Sequence, residues 1–444
     1  MPAPLATDGR LVAVVGAGIA GLAAALELRR LGARVVVYEA ASQVGGKVRV
    51  SDVGGVPVDE GADSMLRRVP YGVDLATAAG FVLTSPSEGA ASLWTRGALR
   101  PLPAGTLMGI PTNVAGLSQV LSSEGVERAG AEKPGSPVVQ DISVGDLVAE
   151  RLGREVVERL VDPLLGGVYA GRADLLSVQA TLPQLWPHLA EHSSLLEAAR
   201  AARGTPTTGP LFAGIEGGLG HLPPVLARDL DVRLGTTVRG LQRTVDGWRL
   251  ELGSVAEPAY QRVGAVVLAV PAAPAARLLA PHATVEELGG VGYASVGIVT
   301  LVLDGESPGS GSGYLVPAVE ERVTKAVTFT SRKWGRPGPA VVRASVGRFG
   351  EVADLQRDDA DLVRAVLAEL REAVGPLPTL VDSRVTRWGG GLPQYAVGHL
   401  DLVRRLRASL PPGVAVAGAA YDGVGVPAVA LSGQQAARAV LASA

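Results

Sequence analysis

The chain has 444 residues, of which 47% are hydrophobic and 19% charged, and its formal net charge is −2. This length suits a globular protein with roughly three domains' worth of core, and so small a net charge gives no long-range field to recruit nucleic acid. The absence of cysteine excludes disulfides, thiolate metal sites and a cofactor tethered through sulfur, and it fits a cytoplasmic location.

The first elements predict a strand–helix–strand unit. The apolar run Leu11–Val15 is typical of a buried strand, and Leu22–Arg30 has the apolar spacing of a helix. Gly32 ends that helix, and Arg34–Tyr38 forms a second buried strand that leads into Glu39. A unit of this kind, in which one helix is the crossover, begins a parallel sheet.

The sequence pattern of residues 81–208 differs from that of the first unit and predicts loops and several helices. Ser143 and Asp146 form an S-x-x-D capping pattern, which predicts that a helix starts there. The segments Val156–Leu165 and Leu195–Arg203 also have helical spacing. This part of the chain is therefore predicted to be a mainly helical insertion.

Strands dominate from residue 232 onward. Asp246 and Gly247 separate the segments Gly240–Val245 and Trp248–Leu252, which is a strong hairpin signal. The later strands, of which the last three are expected to be antiparallel in a second sheet, are predicted at Val263–Val270, Val296–Leu303, Val323–Thr330 and Val341–Val346.

The last part of the chain predicts two helices separated by turns. Apolar residues from Leu362 to Val374 share one helical face, and Gly375 ends that helix. After Trp388 the pattern changes to glycine-rich turns, and the chain ends in a helix.

The order of these patterns predicts an α/β fold: a Rossmann-like dinucleotide-binding domain, an inserted substrate domain built on an antiparallel sheet, and a mainly helical insertion. The helical insertion lines the substrate cavity or faces a membrane. The boundaries are 1–80, 209–280 and 386–444 for the three parts of the dinucleotide-binding domain, 81–208 for the helical insertion and 281–385 for the substrate domain.

No segment is predicted to cross a membrane. The three most apolar stretches, Leu11–Leu26, Val263–Leu279 and the stretch after Val414, are interrupted by glycine, proline or charged residues. A spanning helix needs about 20 mostly apolar residues without such breaks. Peripheral contact with a membrane stays open.

A dinucleotide site is predicted at the first turn of the chain. Gly16, Gly18 and Gly21 form a G-x-G-x-x-G pattern between strand and helix, in which the first glycine makes a tight turn and the second lets the backbone approach a pyrophosphate. The third lets helix and strand pack closely. Glu39 closes the second strand, where its carboxylate would accept ribose hydroxyls and repel a 2′-phosphate. A glycine turn without a ligand is the alternative. The Gly45-Gly46 doublet and Lys47 follow closely, which favours FAD over NAD.

The whole chain resembles the protoporphyrinogen/coproporphyrinogen oxidases of haem synthesis, within the flavin amine oxidase superfamily. The resemblance is greatest to the bacterial, Gram-positive type, which oxidises coproporphyrinogen III. The matching strings, in the family's order, are the glycine finger with VVVYEA, then VDEGADSML, GVYAGRADLLSVQATLPQL, GIEGGLGHLP, TFTSRKW, TRWGGGLPQYAVGH and GAAYDGVGVPAVALSGQQAA.

This resemblance implies a set of residues around a non-covalently bound FAD. It places Val238 at the adenine side, the turn after Glu60 along the isoalloxazine edge, and the last helix with its positive end toward the pyrimidine oxygen of the flavin. Ala62 stands where proline is frequent in the family, and Lys47 where arginine is commoner. The predicted cofactor-binding residues are Gly16, Ala17, Gly18, Ile19, Ala20, Gly21, Glu39, Ala40, Lys47, Gly61, Ala62, Asp63, Ser64, Val238, Trp388, Val424, Gly425 and Val426.

The resemblance also implies the reaction, a six-electron oxidation of a porphyrinogen with O₂ as acceptor and hydrogen peroxide as product. Arg67 is the candidate cation for a substrate propionate, and Gly171 matches a glycine that borders the family's substrate cavity. No acid–base or nucleophilic set is evident, so no catalytic residue is assigned, and a flavin enzyme needs none of these because the cofactor carries the difficult step. The five histidines show no metal-ligand spacing, and no metal is predicted.

Three alternatives stay open. One is a preference for protoporphyrinogen IX, since the contacts that select the porphyrinogen depend on pocket shape. Another is a flavin oxidase of the same superfamily that acts on amines or polyenes, although an aromatic content of 4% argues against an aromatic cage for amines. The third is a binding protein without catalysis, such as the Rab GDP-dissociation inhibitors, which resemble this fold. Other enzymes of haem synthesis are candidate protein partners.

Overall fold

The computed structural model describes residues 9–87, 89–204 and 209–443. The predicted boundary after residue 208 lies outside these ranges. The first unit is a strand, a helix and a parallel strand, as predicted, except that the helix begins three residues earlier, directly after Gly18. The elements of the first 111 residues are β1 Leu11–Val15, α1 Ile19–Arg30, β2 Arg34–Tyr38, β3 Val50–Val53, β4 Val56–Asp59, β5 Met65–Leu66, α2 Pro70–Ala78, β6 Leu83–Thr84, β7 Ser92–Thr95, β8 Ala98–Pro101, β9 Thr106–Leu107 and β10 Ile110–Pro111.

Helices dominate from residue 112 to residue 203. Ser143 caps its helix by accepting a hydrogen bond from the backbone of Asp146, as predicted. The helix expected at Val156–Leu165 is longer and contains a π-helical turn at Val157–Val161. Pro163 follows that turn, and its missing N–H removes one regular helical bond. The helices are α3 Ser123–Gly130, α4 Val144–Leu152, α5 Arg154–Val156, α6 Asp162–Tyr169, α7 Val178–Thr181, α8 Trp186–Leu189 and α9 Leu195–Arg203.

The remaining residues form the other strands and the last helices. The predicted hairpin at Asp246 and Gly247 is present between β13 and β14. The elements are β11 Phe212–Ile215, α10 Leu222–Ala227, β12 Asp231–Arg233, β13 Val238–Thr244, β14 Gly247–Gly253, β15 Pro258–Val263, β16 Ala265–Leu268, α11 Ala272–Leu279, α12 Glu286–Gly289, β17 Tyr293–Asp304, β18 Gly313–Leu315, β19 Thr324–Phe329, α13 Thr330–Trp334, β20 Ala340–Val346, α14 Asp359–Val374, β21 Thr379–Pro393, α15 His399–Ser409, β22 Val414–Val416 and α16 Val426–Ala442.

A five-stranded parallel sheet in the order β12-β2-β1-β16-β22 forms the first layer. Its strands come from the N-terminal part, the middle and the C-terminal part of the chain. Helices α1 and α16 pack against each other, and their alanine-rich surfaces share one core with β1 and β16. The predicted Rossmann-like architecture, assembled from distant parts of the chain, is therefore present.

A seven-stranded sheet in the order β21-β17-β20-β19-β18-β7-β8 forms the second layer. Its strands are antiparallel except where β18 pairs in parallel with β7. Strands β7 and β8 lie within the range predicted to be a mainly helical insertion, so that segment also extends the sheet. Helix α14 covers one face of the sheet with the apolar residues that its sequence pattern predicted.

The prediction of glycine-rich turns directly after Trp388 was wrong. Gly389, Gly390 and Gly391 continue strand β21, which pairs with β17 along almost its whole length. The pairing shifts register between Ala294 and Val296, beside Trp388. The three glycines lie inside this bulge, and Gly390 has a φ of 57°, a conformation that favours glycine. The predicted boundary between residues 385 and 386 therefore cuts through a strand.

Candidate functional site

The glycine finger has two glycines that the fold requires and one that it does not. A side chain on Gly16 would lie 2.5 Å from the carbonyl oxygen of Ala269, and one on Gly21 would overlap the carbonyl of Gly16. Among the described residues, no atom lies within 4 Å of the position that a Cβ on Gly18 would take. The small size of Gly18 therefore leaves room for a ligand. Helix α1 starts at Ile19 without a side-chain cap or an acidic residue in its first turn, which leaves its amides suited to a phosphate.

Glu39 lies beside this finger at the end of β2. Its carboxylate accepts hydrogen bonds from the backbone N–H of Ala17 at 2.7 Å and of Ala41 at 2.8 Å. Its carbonyl accepts from the backbone N–H of Thr236 at 2.8 Å, which brings the segment before Val238 to the same edge of the sheet. The residues predicted for the adenosine half of FAD therefore converge.

The glycine doublet packs against the finger. The backbone N–H of Gly45 donates to the carbonyl of Ala17 at 2.8 Å, and Gly45 and Gly18 form an isolated parallel bridge. Gly45 and Gly46 both have positive φ, at 105° and 58°, a conformation that favours glycine. The side chain of Lys47 is exposed. The backbone carbonyl of Lys47 occupies the position that a side chain on Gly61 would take.

Trp388 lies next to the turn predicted to line the isoalloxazine ring. Its indole N–H donates to the carbonyl of Glu60 at 2.9 Å, and its ring is 3.8 Å from the position of a Cβ on Gly61. The guanidinium of Arg49 stacks 4.5 Å from the centre of the same ring. The strand that carries Trp388 therefore fixes the substrate sheet against this turn.

Asp63, in the same turn, is paired with two cations, Lys333 on helix α13 and Arg343 on strand β20. The Nζ atom of Lys333 donates to both carboxylate oxygens at 3.0 Å, and Arg343 lies 3.6 Å away. Arg343 also donates to the carbonyl of Gly61. Burial alone would raise the pKa of Asp63, but Lys333 and Arg343 outweigh it and hold the pKa at about 2. Ser64 donates to Asp63 as well, at 3.0 Å.

The last helix presents an open N-terminus. Helix α16 begins at Val426, and the preceding Gly425 has a φ of 98°. In the described part of the chain, no atom lies within 4 Å of the position of a Cβ on Gly425. Its first turn has no side-chain cap and no acidic residue. A side chain on Gly433 would overlap the carbonyl of Ala20, so α16 and α1 approach closely. The donor groups, the open space at Gly18 and Gly425, and the positive helix ends all fit the predicted FAD.

The face of the seven-stranded sheet opposite α14 adjoins the turn predicted to line the flavin, because Arg343 on this face donates to the carbonyl of Gly61. Strand register places Ile298, Ser345 and Ala326 in one row across this face, and Thr300, Arg343 and Thr328 in the next. The first row is only half buried although it lies on central strands, so this part of the face stays accessible. The row that contains Arg343 reaches the turn at Gly61.

The two predicted substrate residues lie in different surroundings. Gly171 is buried, and a side chain there would displace the amide oxygen of Gln394. It lines a small cavity with Lys325 and Arg348. Arg67 is half buried and follows β5. Within the described part of the chain, no hydrogen bond or ion pair joins Arg67 to that cavity.

Sequence reasoning missed several charged residues that the fold brings into or near the site. Lys333 belongs to one of the matching strings, but only the fold shows that it pairs with Asp63. Lys325 interrupts the apolar pattern of β19, which is the signal that could have indicated it, whereas Arg348 lies just after β20. Sequence reasoning also missed a group of possible metal ligands at the surface: donor atoms of His188, Glu191 and His192 lie within 4.8 Å of one another.

Comparisons with known proteins identify the family. The model of the flavin-containing amine oxidoreductases matches residues 19–441. The chain belongs to this family. The expected fold and the FAD cofactor are thereby confirmed, and the protein is an oxidoreductase. Among the described residues, no helix has both the length and the apolar character that crossing a bilayer requires.

Named relatives match almost the whole chain. It is 37% identical over 437 residues to coproporphyrinogen III oxidase of Mycobacterium tuberculosis, with 94% of each chain covered. It is 31% identical to the enzyme of that name from Bacillus subtilis, with 95% of this chain and 96% of the relative covered. A crystal structure of an Exiguobacterium protein, assigned provisionally to the protoporphyrinogen oxidases, matches with a TM-score of 0.88 and 31% identity, covering 98% of this chain and 99% of that one.

Proposed function

We propose that this protein oxidises coproporphyrinogen III to coproporphyrin III with O₂ as electron acceptor. The observation that carries the proposal is the identity of 37% to a relative of that name over 94% of both chains. The reaction removes six electrons in three steps, and each step reduces one O₂ to one hydrogen peroxide. FAD held by the residues of this site would supply the hydride acceptor. In each step a methylene bridge would lose a hydride and a pyrrole N–H a proton, and O₂ would take up two electrons and two protons to give hydrogen peroxide.

The residues of the chain hold and orient the two reactants. The finger and Glu39 would fix the pyrophosphate and ribose, and the N-terminal end of α16 would stabilise negative charge on the pyrimidine side of the ring. Asp63 is fully paired and has a pKa of about 2, so it acts as a structural anchor rather than as a base. Its pairing with Lys333 and Arg343 connects the flavin-side turn to the sheet on which the substrate would lie.

The two candidate porphyrinogens differ in charge and in solubility. Four propionates keep coproporphyrinogen III in water, whereas two vinyl groups replace two propionates in protoporphyrinogen IX and make it more apolar. We also propose a cytoplasmic location, with peripheral membrane contact and association with other enzymes of haem synthesis as open features. Protoporphyrinogen IX is the second candidate, and the likeness to the Exiguobacterium structure favours it.

A comparison of the two porphyrinogens tests the proposal. Purified FAD-loaded protein should convert coproporphyrinogen III to fluorescent coproporphyrin III faster than it converts protoporphyrinogen IX. The reverse order would contradict the substrate and leave the flavin oxidase intact. If Arg67 pairs with a propionate, Arg67→Ala should raise KM with little effect on kcat. If the protein oxidises neither compound, a flavin oxidase that acts on amines or polyenes becomes the better hypothesis.

A further inference from the structure

A small cavity lies between the helical segment and the substrate sheet. Its volume is about 10 Å³, which is room for one water-sized group. The helical side contributes Asp162, Gly166 and Gly171, and the sheet side contributes Val316, Lys325 and Arg348. Because Gly171 is the glycine that the family resemblance places at the substrate cavity, this small cavity adjoins the predicted substrate site.

Lys325 is the unusual member of this group. It is only 7% exposed, yet no hydrogen bond or ion pair in the described part of the chain involves its ammonium group. It follows the first residue of β19, where the pairing with β20 shifts register. A buried cation without a partner is unfavourable. Burial, together with the charge of Arg348, lowers the pKa of Lys325 to about 7.

Within the described ranges, the arginines around the cavity are all paired with carboxylates, and Lys325 is not. Arg348 is buried, donates to the carbonyl of Val316 at 3.0 Å and lies 3.5 Å from Glu351. Arg172 bridges Asp162 at 3.2 Å and Glu351 at 2.8 Å. The same network continues through Arg154, which pairs with Asp174 and Glu158. Among the described residues, Lys325 is the cation of this group that no carboxylate contacts.

We propose that Lys325 and Arg348 bind one carboxylate, of which one oxygen atom enters this cavity, and that this carboxylate is a propionate of the porphyrinogen. The identity of the carboxylate rests on the proposed function. A strand rises about 3.4 Å per residue, so Lys325 lies about 10 Å along β19 from the row that contains Thr328 and Arg343. Since Arg343 contacts the flavin-side turn, a tetrapyrrole ring beside the flavin could extend a propionate into this cavity.

The test measures affinity without requiring turnover. Coproporphyrin III, the stable fluorescent product, is titrated into FAD-loaded wild type, Lys325→Met and the surface control Lys133→Met, whose lysine is exposed. A lost charged hydrogen bond predicts a roughly tenfold or greater increase in Kd for Lys325→Met. Lys133→Met should bind like wild type. Arg348→Met should also weaken binding, and Lys325→Met should raise KM for coproporphyrinogen III with kcat within about twofold.

Protein folding and the proposed reaction are checked separately. Lys325→Met removes an unpaired buried charge, so its melting temperature without ligand should be no lower than that of wild type. Unchanged affinity for coproporphyrin III in Lys325→Met overturns the proposal. If sodium acetate then raises the melting temperature of wild type but not of Lys325→Met, the site binds a free anion instead. If the protein oxidises no porphyrinogen but its binding of coproporphyrin III depends on Lys325, the carboxylate site stands and the proposed reaction fails.

Discussion

At the scale of single residues, Gly18 separates cofactor binding from folding. Its side-chain position is open, whereas those of Gly16 and Gly21 are filled by the chain's own backbone. Gly18→Val should therefore yield a folded protein that purifies without FAD, because the valine occupies the space of the pyrophosphate. Circular dichroism and flavin absorbance measure the two properties. Gly21→Val, the comparison variant, should lose the fold as well. A Gly18→Val protein with full flavin content would show that the phosphate site lies elsewhere.

Asp63 is the residue whose ionisation should matter most for stability. Its pKa in the folded protein, about 2, is below its ordinary value of 3.8, so the paired carboxylate stabilises the fold above about pH 4, and this contribution is lost as the pH falls through 2. Asp63→Asn should lower the free energy of unfolding by on the order of 2–3 kcal/mol near neutral pH.

Denaturant unfolding at several pH values measures this effect of Asp63→Asn. The difference from wild type should shrink as the pH falls from 4 toward 2, because the wild-type carboxylate is then protonated as well. The double variant Asp63→Asn/Lys333→Met should recover part of the loss, since it leaves one fewer buried cation unpaired. A stability difference that does not change with pH would argue against the ion pair.

At the scale of elements, helices α1 and α16 of the cofactor domain approach each other closely. A side chain on Gly433 would overlap the carbonyl of Ala20. Gly433→Ala should therefore lower the melting temperature and weaken FAD binding, although alanine normally stabilises a helix by about 1 kcal/mol relative to glycine. Gln435→Ala on the exposed side of the same helix is the control and should change neither property. A Gly433→Ala protein that is more stable than wild type would contradict this helix contact.

Local patterns predicted most of these elements, and the failures have physical causes. The first two strands and the helix capped by Ser143 follow from periodicity and capping, which are local properties. The glycines after Trp388 were misread as turns because they form a bulge in β21, which depends on the pairing of the residues on both sides with β17, far away in sequence. Strand β7 joins the second sheet through a parallel partner more than 200 residues away, which no local pattern indicates.

The candidate site shows the same division. The finger, Glu39 and the glycine doublet could be predicted because short motifs with fixed spacing determine them. The pairing of Asp63 with Lys333, and the cavity at Lys325 and Arg348, could not, because they depend on contacts between segments that are distant along the chain. The positions of the individual flavin contacts stay predictions.

At the scale of the whole molecule, the attachment of FAD is the first property to establish. The chain has no cysteine, so no thioether to the flavin can form, and we expect non-covalent binding. Precipitation in acid should release all of the yellow colour into the supernatant. Flavin that stays with the precipitated protein would contradict this expectation.

The central claim is that each turnover is a six-electron oxidation of coproporphyrinogen III by bound FAD and O₂. The measurement that tests it most directly records O₂ consumption and porphyrin fluorescence in the same sample, with catalase absent and peroxide assayed at the end. The account predicts that three molecules of O₂ disappear, and three of hydrogen peroxide form, for each coproporphyrin III produced, and that protein stripped of FAD is inactive until FAD is restored. O₂ consumption without coproporphyrin III, or porphyrin formation that does not depend on FAD, would contradict it.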